Sequence, residues 1–212
     1  WFEPKPLFGK RIVVTRSRDQ ASVFAETLID RGATPIEFPS IDVVPPADWN
    51  ELDAALGSLD TYQWIIFTSA NAIRFFFERL RSRGMDIRSL HANKICVVGP
   101  KTAEALEQFS LKADLIPAEF KAEGVLAALG DGQVKGMKFL IPRAKIAREL
   151  IPEKLREKGA EVTVATAYEN VRPATDENRK RKLFEEKKIA AVTFTSSYTV
   201  HNFVEKKKKK EY

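Results

Sequence analysis

Short apolar runs alternate with amphipathic stretches along the chain, and the alternation predicts repeated βα units. Ile12-Val13-Val14-Thr15 is one such run. It is followed by Ser17 to Arg31, where Ala21, Phe24, Ala25 and Leu28 recur at helical spacing before Gly32. Thr34 to Phe38 is the next extended run. Trp64 to Phe67 precedes a helix that opens at Ser69 and carries Ile73, Phe76, Phe77 and Leu80. Lys94 to Val98 precedes a helix with Ala103, Leu106 and Phe109. Phe139 to Ile141 precedes a helix with Leu150, Ile151 and Leu155 that stops at Gly159, and Ala191 to Thr195 is a last strand. Helices following strands in this way build a mostly parallel sheet, so the fold class is α/β.

The pattern also repeats. Gly9 to Arg16 matches Gly136 to Arg143; Leu28, Gly32 and Ala33 match Leu155, Gly159 and Ala160; Phe67-Thr68-Ser69 matches Phe194-Thr195-Ser196. Pro46 and Pro173, Leu56 and Leu183, and Phe76 and Phe203 add to the set. Every pair is offset by 127 positions without a gap, which reads as an internal duplication. Gly99 has no counterpart within the chain, because its partner would fall beyond the last residue. The second half is therefore expected to lack a strand and a helix, with the native chain continuing past a truncated C-terminus.

Composition narrows the function classes. The chain has 212 residues, 44% hydrophobic and 30% charged, enough for one large or two small domains. Of the net charge of +6, Lys206, Lys207, Lys208, Lys209 and Lys210 contribute five, which leaves +1 for the rest. The basic balance thus belongs to the tail and gives no ground for a nucleic-acid partner. Cys96 stands alone in the apolar run Ile95 to Val98, so the chain forms no internal disulfide, and a reducing, cytoplasmic setting is expected. His91 and His201 have no ligand spacing around them, and no metal is expected. No apolar stretch has membrane-spanning length, and no membrane partner is expected.

The candidate chemistry lies where strands turn into helices. Thr15-Arg16-Ser17, Thr68-Ser69-Ala70-Asn71, Gly99-Pro100-Lys101-Thr102 and Thr195-Ser196-Ser197 all place small polar or cationic residues there, and Arg143 ends a further strand. In open α/β sheets, ligands sit beyond the carboxyl ends of the strands. Helix N-termini offer unpaired N–H groups and partial positive charge, so several such turns suit a polyanion. Each turn taken alone is better explained by plain N-capping, and the case for a ligand rests on several turns together. No Gly-x-Gly-x-x-Gly follows the first strand and no Gly-x-x-x-x-Gly-Lys-Ser/Thr occurs, which removes the dinucleotide and P-loop readings. Tyr168 lies in the extended run Val162 to Val171. It either packs for its area or faces a cleft as a proton donor.

Val13-Val14-Thr15-Arg16, Phe67 to Ala72, Val98 to Ala103, Phe120 to Gly124, Pro142-Arg143, Tyr168-Glu169-Asn170 and Phe194 to Ser197 occur in an order and spacing that resemble the uroporphyrinogen-III synthase family, from Leu7 onward. The resemblance implies two similar parallel-sheet α/β domains joined by a two-stranded antiparallel linker. Residues 1–44 with 170–212 would form one domain, incomplete at its end, and residues 46–167 the other. It implies a cyclising lyase of tetrapyrrole and heme biosynthesis that converts hydroxymethylbilane to uroporphyrinogen III without metal or organic cofactor. Tyr168 matches the family's catalytic tyrosine. Arg16, Ser69, Asn71, Gly99, Lys101, Thr102, Arg143, Ser196 and Ser197 would bind substrate. The opening Trp1 to Lys10 also resembles the junction of bacterial fusions with an upstream methyltransferase. A monomer is expected. The competing expectation is a two-lobed anion-binding protein without catalysis.

Overall fold

The computed structural model describes residues 5–130, 134–171, 173, 181–183, 185, 188–195 and 197–204; of residues 18–20, 122, 197 and 198 it describes the backbone only. The chain divides into two compact units, Trp1–Val43 with Asn170–Tyr212, and Val44–Glu169.

In the first unit, β1 (Arg11–Val14) lies between β2 (Thr34–Glu37) and β8 (Ile189–Thr193), and both pairings are parallel. A strand flanked on both sides and covered on its faces needs a continuous apolar run, and Ile12, Val13 and Val14 are all buried. Helix α1 (Arg18–Asp30) turns Ala21, Ala25 and Leu28 inward and ends at Gly32, whose φ of +91° needs glycine. The turn brings Thr34 level with Arg11. Strand β8 begins and ends two residues earlier than the apolar run Ala191 to Thr195 suggests. The ladder to β1 stops where Val14 meets Thr193, so Phe194 and Thr195 have no strand beside them and leave the sheet. Helix α7 (Ser197–Val204) follows. The polylysine run at 206–210 lies outside the described residues.

A five-stranded sheet, most of whose residues belong to the second unit, runs β3 (Asp42–Val44), β7 (Glu161–Val171), β6 (Lys138–Ala144), β4 (Trp64–Phe67), β5 (Lys94–Val97), in that order. Strands β7, β6, β4 and β5 pair in parallel. Because side chains alternate across a strand, the sheet has two distinct faces. On one, Ile66, Cys96, Phe139 and Ile141 pack with Val125 and Leu129 of α5 (Ala122–Leu129) and Ile151 and Leu155 of α6 (Leu150–Glu157). On the other, Phe67 packs edge-on against Phe76 and tilted against Phe77 of α3 (Ala70–Ser82), with ring centroids 5.2 and 6.3 Å apart. Phe67, Phe76, Phe77 and Phe139 are all fully buried, and truncating any one of them to alanine would cost about 3–5 kcal/mol.

Two local departures from the sequence pattern have physical causes. Helix α4 (Pro100–Glu107) stops before Phe109, and Ser110 takes a φ of +59°. The phenyl ring nonetheless stacks on Phe77 at 4.3 Å, so its apolar signal comes from packing rather than from helical position. Strand β6 runs three residues past Ile141 and contains Pro142, although it lies between two partners. Its ladder to β4 ends at Leu140, so beyond that point a missing N–H on the β4 side costs no hydrogen bond. A short helix, α2 (Asn50–Leu56), completes the unit. Its Asp53 accepts two hydrogen bonds from Arg79 of α3, at 2.7 and 2.6 Å, and the Arg79 guanidinium also lies over Trp49.

Candidate functional site

The strands β4 to β7 of the second unit run parallel, so their carboxyl ends share one edge. Five of the sequence-predicted positions lie there: Ser69 and Asn71 opening α3, Gly99 opening α4, Arg143 near the end of β6, and Tyr168 on β7. Lys101 and Thr102 follow in the first turn of α4.

Tyr168 owes its position to an irregularity in β7. The β6–β7 register runs one-to-one from Lys138 opposite Glu161 to Arg143 opposite Thr166, and then Ala144 meets Tyr168. One extra residue, Ala167, is accommodated there, and a bulge of this kind reverses the face of the residues after it. By plain alternation Tyr168 would share a face with Val164 and Thr166, level with Ile141 and Arg143. After the bulge it shares the face of Ala144 and meets α3. Its ring stacks on Phe75 at 5.8 Å with 14° between planes, and its hydroxyl stands 3.1 Å from Ser69 Oγ, where either group can donate. Ser69 is the N-cap of α3, in extended backbone, and its Oγ also accepts the Ala72 N–H at 3.1 Å. One hydroxyl thus caps the helix and fixes the phenol. Tyr168 is 8% exposed, and burial pushes its phenol above the ordinary tyrosine value, with the Ser69 hydrogen bond pulling weakly the other way. It holds its proton at neutral pH.

Arg143 lies on the opposite face, toward α5 and α6. It is 8% exposed. Its Nη1 donates to the Arg148 carbonyl at 3.0 Å, and its Nη2 donates to the Glu149 carboxylate. Its Nε is buried with no hydrogen-bond partner. Beside it is a cavity of about 330 Å³, with Thr68, Val98, Phe120, Lys121 and Ile141 also in its lining. Sequence reasoning names Tyr168 and Arg143 separately as site residues. The structure sets them at the same end of the sheet on different faces.

The remaining positions divide by what their polar atoms do. Gly99 takes a φ of +89°, which favours glycine, and precedes Pro100 at the first helical position of α4. Thr102 is buried, and its hydroxyl donates back to the Val98 carbonyl at 3.1 Å, which leaves only its lone pairs for a ligand. Lys101 is exposed and Asn71 is half-buried. In the first unit, Arg16 follows β1 with its guanidinium 5.8 Å from the Phe24 ring centroid and its Nε buried without a hydrogen-bond partner. Thr15 and Thr193 tie β1 to β8, each hydroxyl donating to a carbonyl of the other strand. Ser196 lies outside the described residues, as does the side chain of Ser197, whose backbone opens α7.

Two participants escape sequence reading. Phe75 is one of three consecutive phenylalanines in α3, and nothing in the run singles out the one that meets Tyr168. Glu149 precedes the apolar residues of α6 at the N-cap, where its side chain makes no cap; its carboxylate pairs with Arg143 instead. The charged cluster Arg143, Arg148, Glu149 was the available signal. Among the described residues, no group of three or more His, Cys, Asp or Glu side chains comes together as a metal site, and no helix is long and apolar enough to cross a membrane.

The family model described as uroporphyrinogen-III synthase HemD matches residues 22–211. The chain is 36% identical over 200 residues to the uroporphyrinogen-III synthase of Synechococcus elongatus, which covers 94% of this chain and 75% of that protein. It is 34% identical over 204 residues to the porphyrin biosynthesis protein HemD of Ruminiclostridium josui, covering 96% of this chain but only 40% of that relative's length. A crystal structure of a mutant uroporphyrinogen III synthase from Thermus thermophilus superposes with a TM-score of 0.67 at 18% identity, over 92% of this chain and 75% of that one. This last likeness is one of fold.

Proposed function

We propose that this chain, which belongs to the uroporphyrinogen-III synthase family, cyclises hydroxymethylbilane to uroporphyrinogen III with inversion of ring D. The reaction is a loss of water with ring closure, which makes the protein a cyclising hydro-lyase. The hydroxyl of ring A departs and leaves a cationic azafulvene. The substituted carbon of ring D attacks it to give a spiro intermediate. That intermediate fragments, and ring D re-closes through its free carbon, which gives up a proton. The proton from ring D and the hydroxyl from ring A balance as water.

The observation that carries the reading for this chain's own residues is the buried Tyr168 hydroxyl held on Ser69. A phenol whose proton is held more firmly than usual is a poor proton-transfer acid, but it stays protonated at neutral pH and so remains available as a hydrogen-bond donor. It would assist the departing hydroxyl by donating to it, with Ser69 fixing the direction. The rest of the work is conformational, because the substrate cyclises readily once ring A is activated. Holding the chain curled calls for groups that meet carboxylates on every ring, and strand-end turns with cations and helix N-termini supply such groups. Arg16, Asn71, Gly99, Lys101, Arg143, Ser196 and Ser197 are proposed for that binding, and Thr102 for it through its lone pairs. We place the protein in the cytoplasm as a monomer.

The test is a coupled assay in which porphobilinogen deaminase supplies hydroxymethylbilane and chromatography separates the oxidised isomers. Type III product is expected. Type I alone, from folded protein, would refute the assignment and favour a binding role without chemistry. Tyr168→Phe should slow turnover about tenfold while still giving type III, which corresponds to losing one hydrogen bond of about 1.4 kcal/mol in the transition state. A loss of twofold or less would return Tyr168 to packing.

A further inference from the structure

We infer that the cavity beside Arg143 is a subsite for one carboxylate arm of a substituted pyrrole, and that Glu149 occupies the arginine until that arm arrives. The choice of a pyrrole rests on the function proposed above; the exchange of one carboxylate for another on Arg143 rests on geometry alone.

A guanidinium that is nine-tenths buried needs an anion and needs its N–H groups satisfied. Arg143 meets that need incompletely. Glu149 engages only Nη2, a backbone carbonyl takes Nη1, and Nε has no acceptor. The two-pronged approach that suits arginine and carboxylate is therefore not made. Glu149 is also a replaceable partner. Its side chain is 48% exposed, against 10% for that of Arg143, so the carboxylate reaches the arginine from the solvent side. Swapping it for another carboxylate keeps Arg143 compensated throughout, and only the approach changes. The released Glu149 can turn into solvent, where its side chain already lies half exposed. The loop that carries it is held at its start by Lys145, whose N–H donates to the Tyr168 carbonyl at 2.9 Å and whose ammonium pairs with Glu169 at 3.1 Å.

The cavity suits the incoming group. At about 330 Å³ it falls at the lower end of the range of ligand clefts, roughly 300–1,000 Å³. Arg143, Arg148 and Lys121 contribute positive charge against the one carboxylate of the lining, Glu123, while Val98, Phe120 and Ile141 supply an apolar wall for a flat ring. Lys121 is itself paired with Glu119 at 3.0 Å on the exposed side.

The probe is porphobilinogen, a single pyrrole with acetate and propionate arms, titrated into the full chain by calorimetry. Wild type is expected to bind it. Glu149→Gln keeps a neutral acceptor for Arg143 but removes the competing charge, and should bind at least fivefold more tightly. Arg143→Lys should bind at least fivefold more weakly, with thermal unfolding of both variants showing that they fold. Glutarate should compete and unsubstituted pyrrole should not bind. Equal or weaker binding by Glu149→Gln would overturn the inference, as would no binding by any of the three proteins. Type III product from wild type beside an unchanged Glu149→Gln affinity would overturn the subsite and leave the family reaction standing. Tighter binding by Glu149→Gln without type III product would keep the subsite and count against the reaction.

Discussion

Replacing Gly124 by alanine sets two physical effects of opposite sign against each other. Gly124 lies in the first turn of α5 with ordinary helical backbone, so intrinsic propensity alone predicts stabilisation by about 1 kcal/mol. The surroundings predict the reverse. A Cβ built on Gly124 overlaps the Glu119 carbonyl oxygen outright and stands 2.9 Å from the carbonyl carbon, both atoms of rigid backbone. The segment has to recede by about 1.4 Å to restore an ordinary contact. It is tethered by the hydrogen bond from Lys121 N–H to that same carbonyl, 2.8 Å, and it carries Phe120 and Lys121 into the cavity lining. Overpacking of this kind costs about 1–3 kcal/mol. The propensity gain offsets about 1 kcal/mol of it, which leaves Gly124→Ala less stable by up to about 2 kcal/mol. Urea unfolding with an unchanged slope measures the difference. A variant more stable than wild type would show that the Glu119 carbonyl yields freely, and the steric argument would fail. Porphobilinogen affinity should fall with the displacement of Phe120 and Lys121.

Three further outcomes follow from the titrating groups. Burial pushes the Cys96 thiol up to about 12, so the folded protein should resist a disulfide reagent at pH 8 and react only at the rate of unfolding; rapid modification without unfolding would contradict its burial. Because Tyr168 is held above the ordinary phenol value, absorbance titration should show an ionisation step above the ordinary tyrosine range, and Tyr168→Phe should remove that step. The Arg79 hydrogen bonds hold the Asp53 carboxyl below its usual value. A depressed carboxyl stabilises the fold above its unfolded value, about 3.9, and loses that contribution as pH falls through the lower folded value. Asp53→Asn should therefore cost about 1 kcal/mol at pH 7, the pair being partly open to solvent, and the gap to wild type should close below about pH 4 in acid unfolding; a gap independent of pH would assign the cost to packing.

Much of the fold was legible because its signals are local. Ile12-Val13-Val14 and Trp64 to Phe67 are short continuous apolar runs, each with a helical period after it, and that combination leaves few arrangements besides strands buried on both faces. The strand-end turns were legible for the same reason, since capping residues and glycine at positive φ announce them. Element limits were less so. Phe109 and Phe194 are apolar but lie outside the helix and strand that the pattern assigned them, because each is retained by ring packing, on Phe77 and on Phe203.

The alternation, the turns, and the inventory of groups able to meet carboxylates are written in the order of residues alone. How those groups face is decided by tertiary structure. Period-two alternation predicts a side chain's face only while the register is unbroken, and the accommodation of Ala167 opposite the Arg143–Ala144 step is settled between two strands, not within one. That single residue turns Tyr168 away from the face of Arg143 and onto Phe75 and Ser69. Likewise no spacing rule states that Thr102 spends its hydroxyl on Val98 or that Glu149 answers Arg143 rather than its own helix. Hydrogen bonds and ion pairs are chosen by which partners burial brings within about 3 Å, and burial is a property of the assembled sheet.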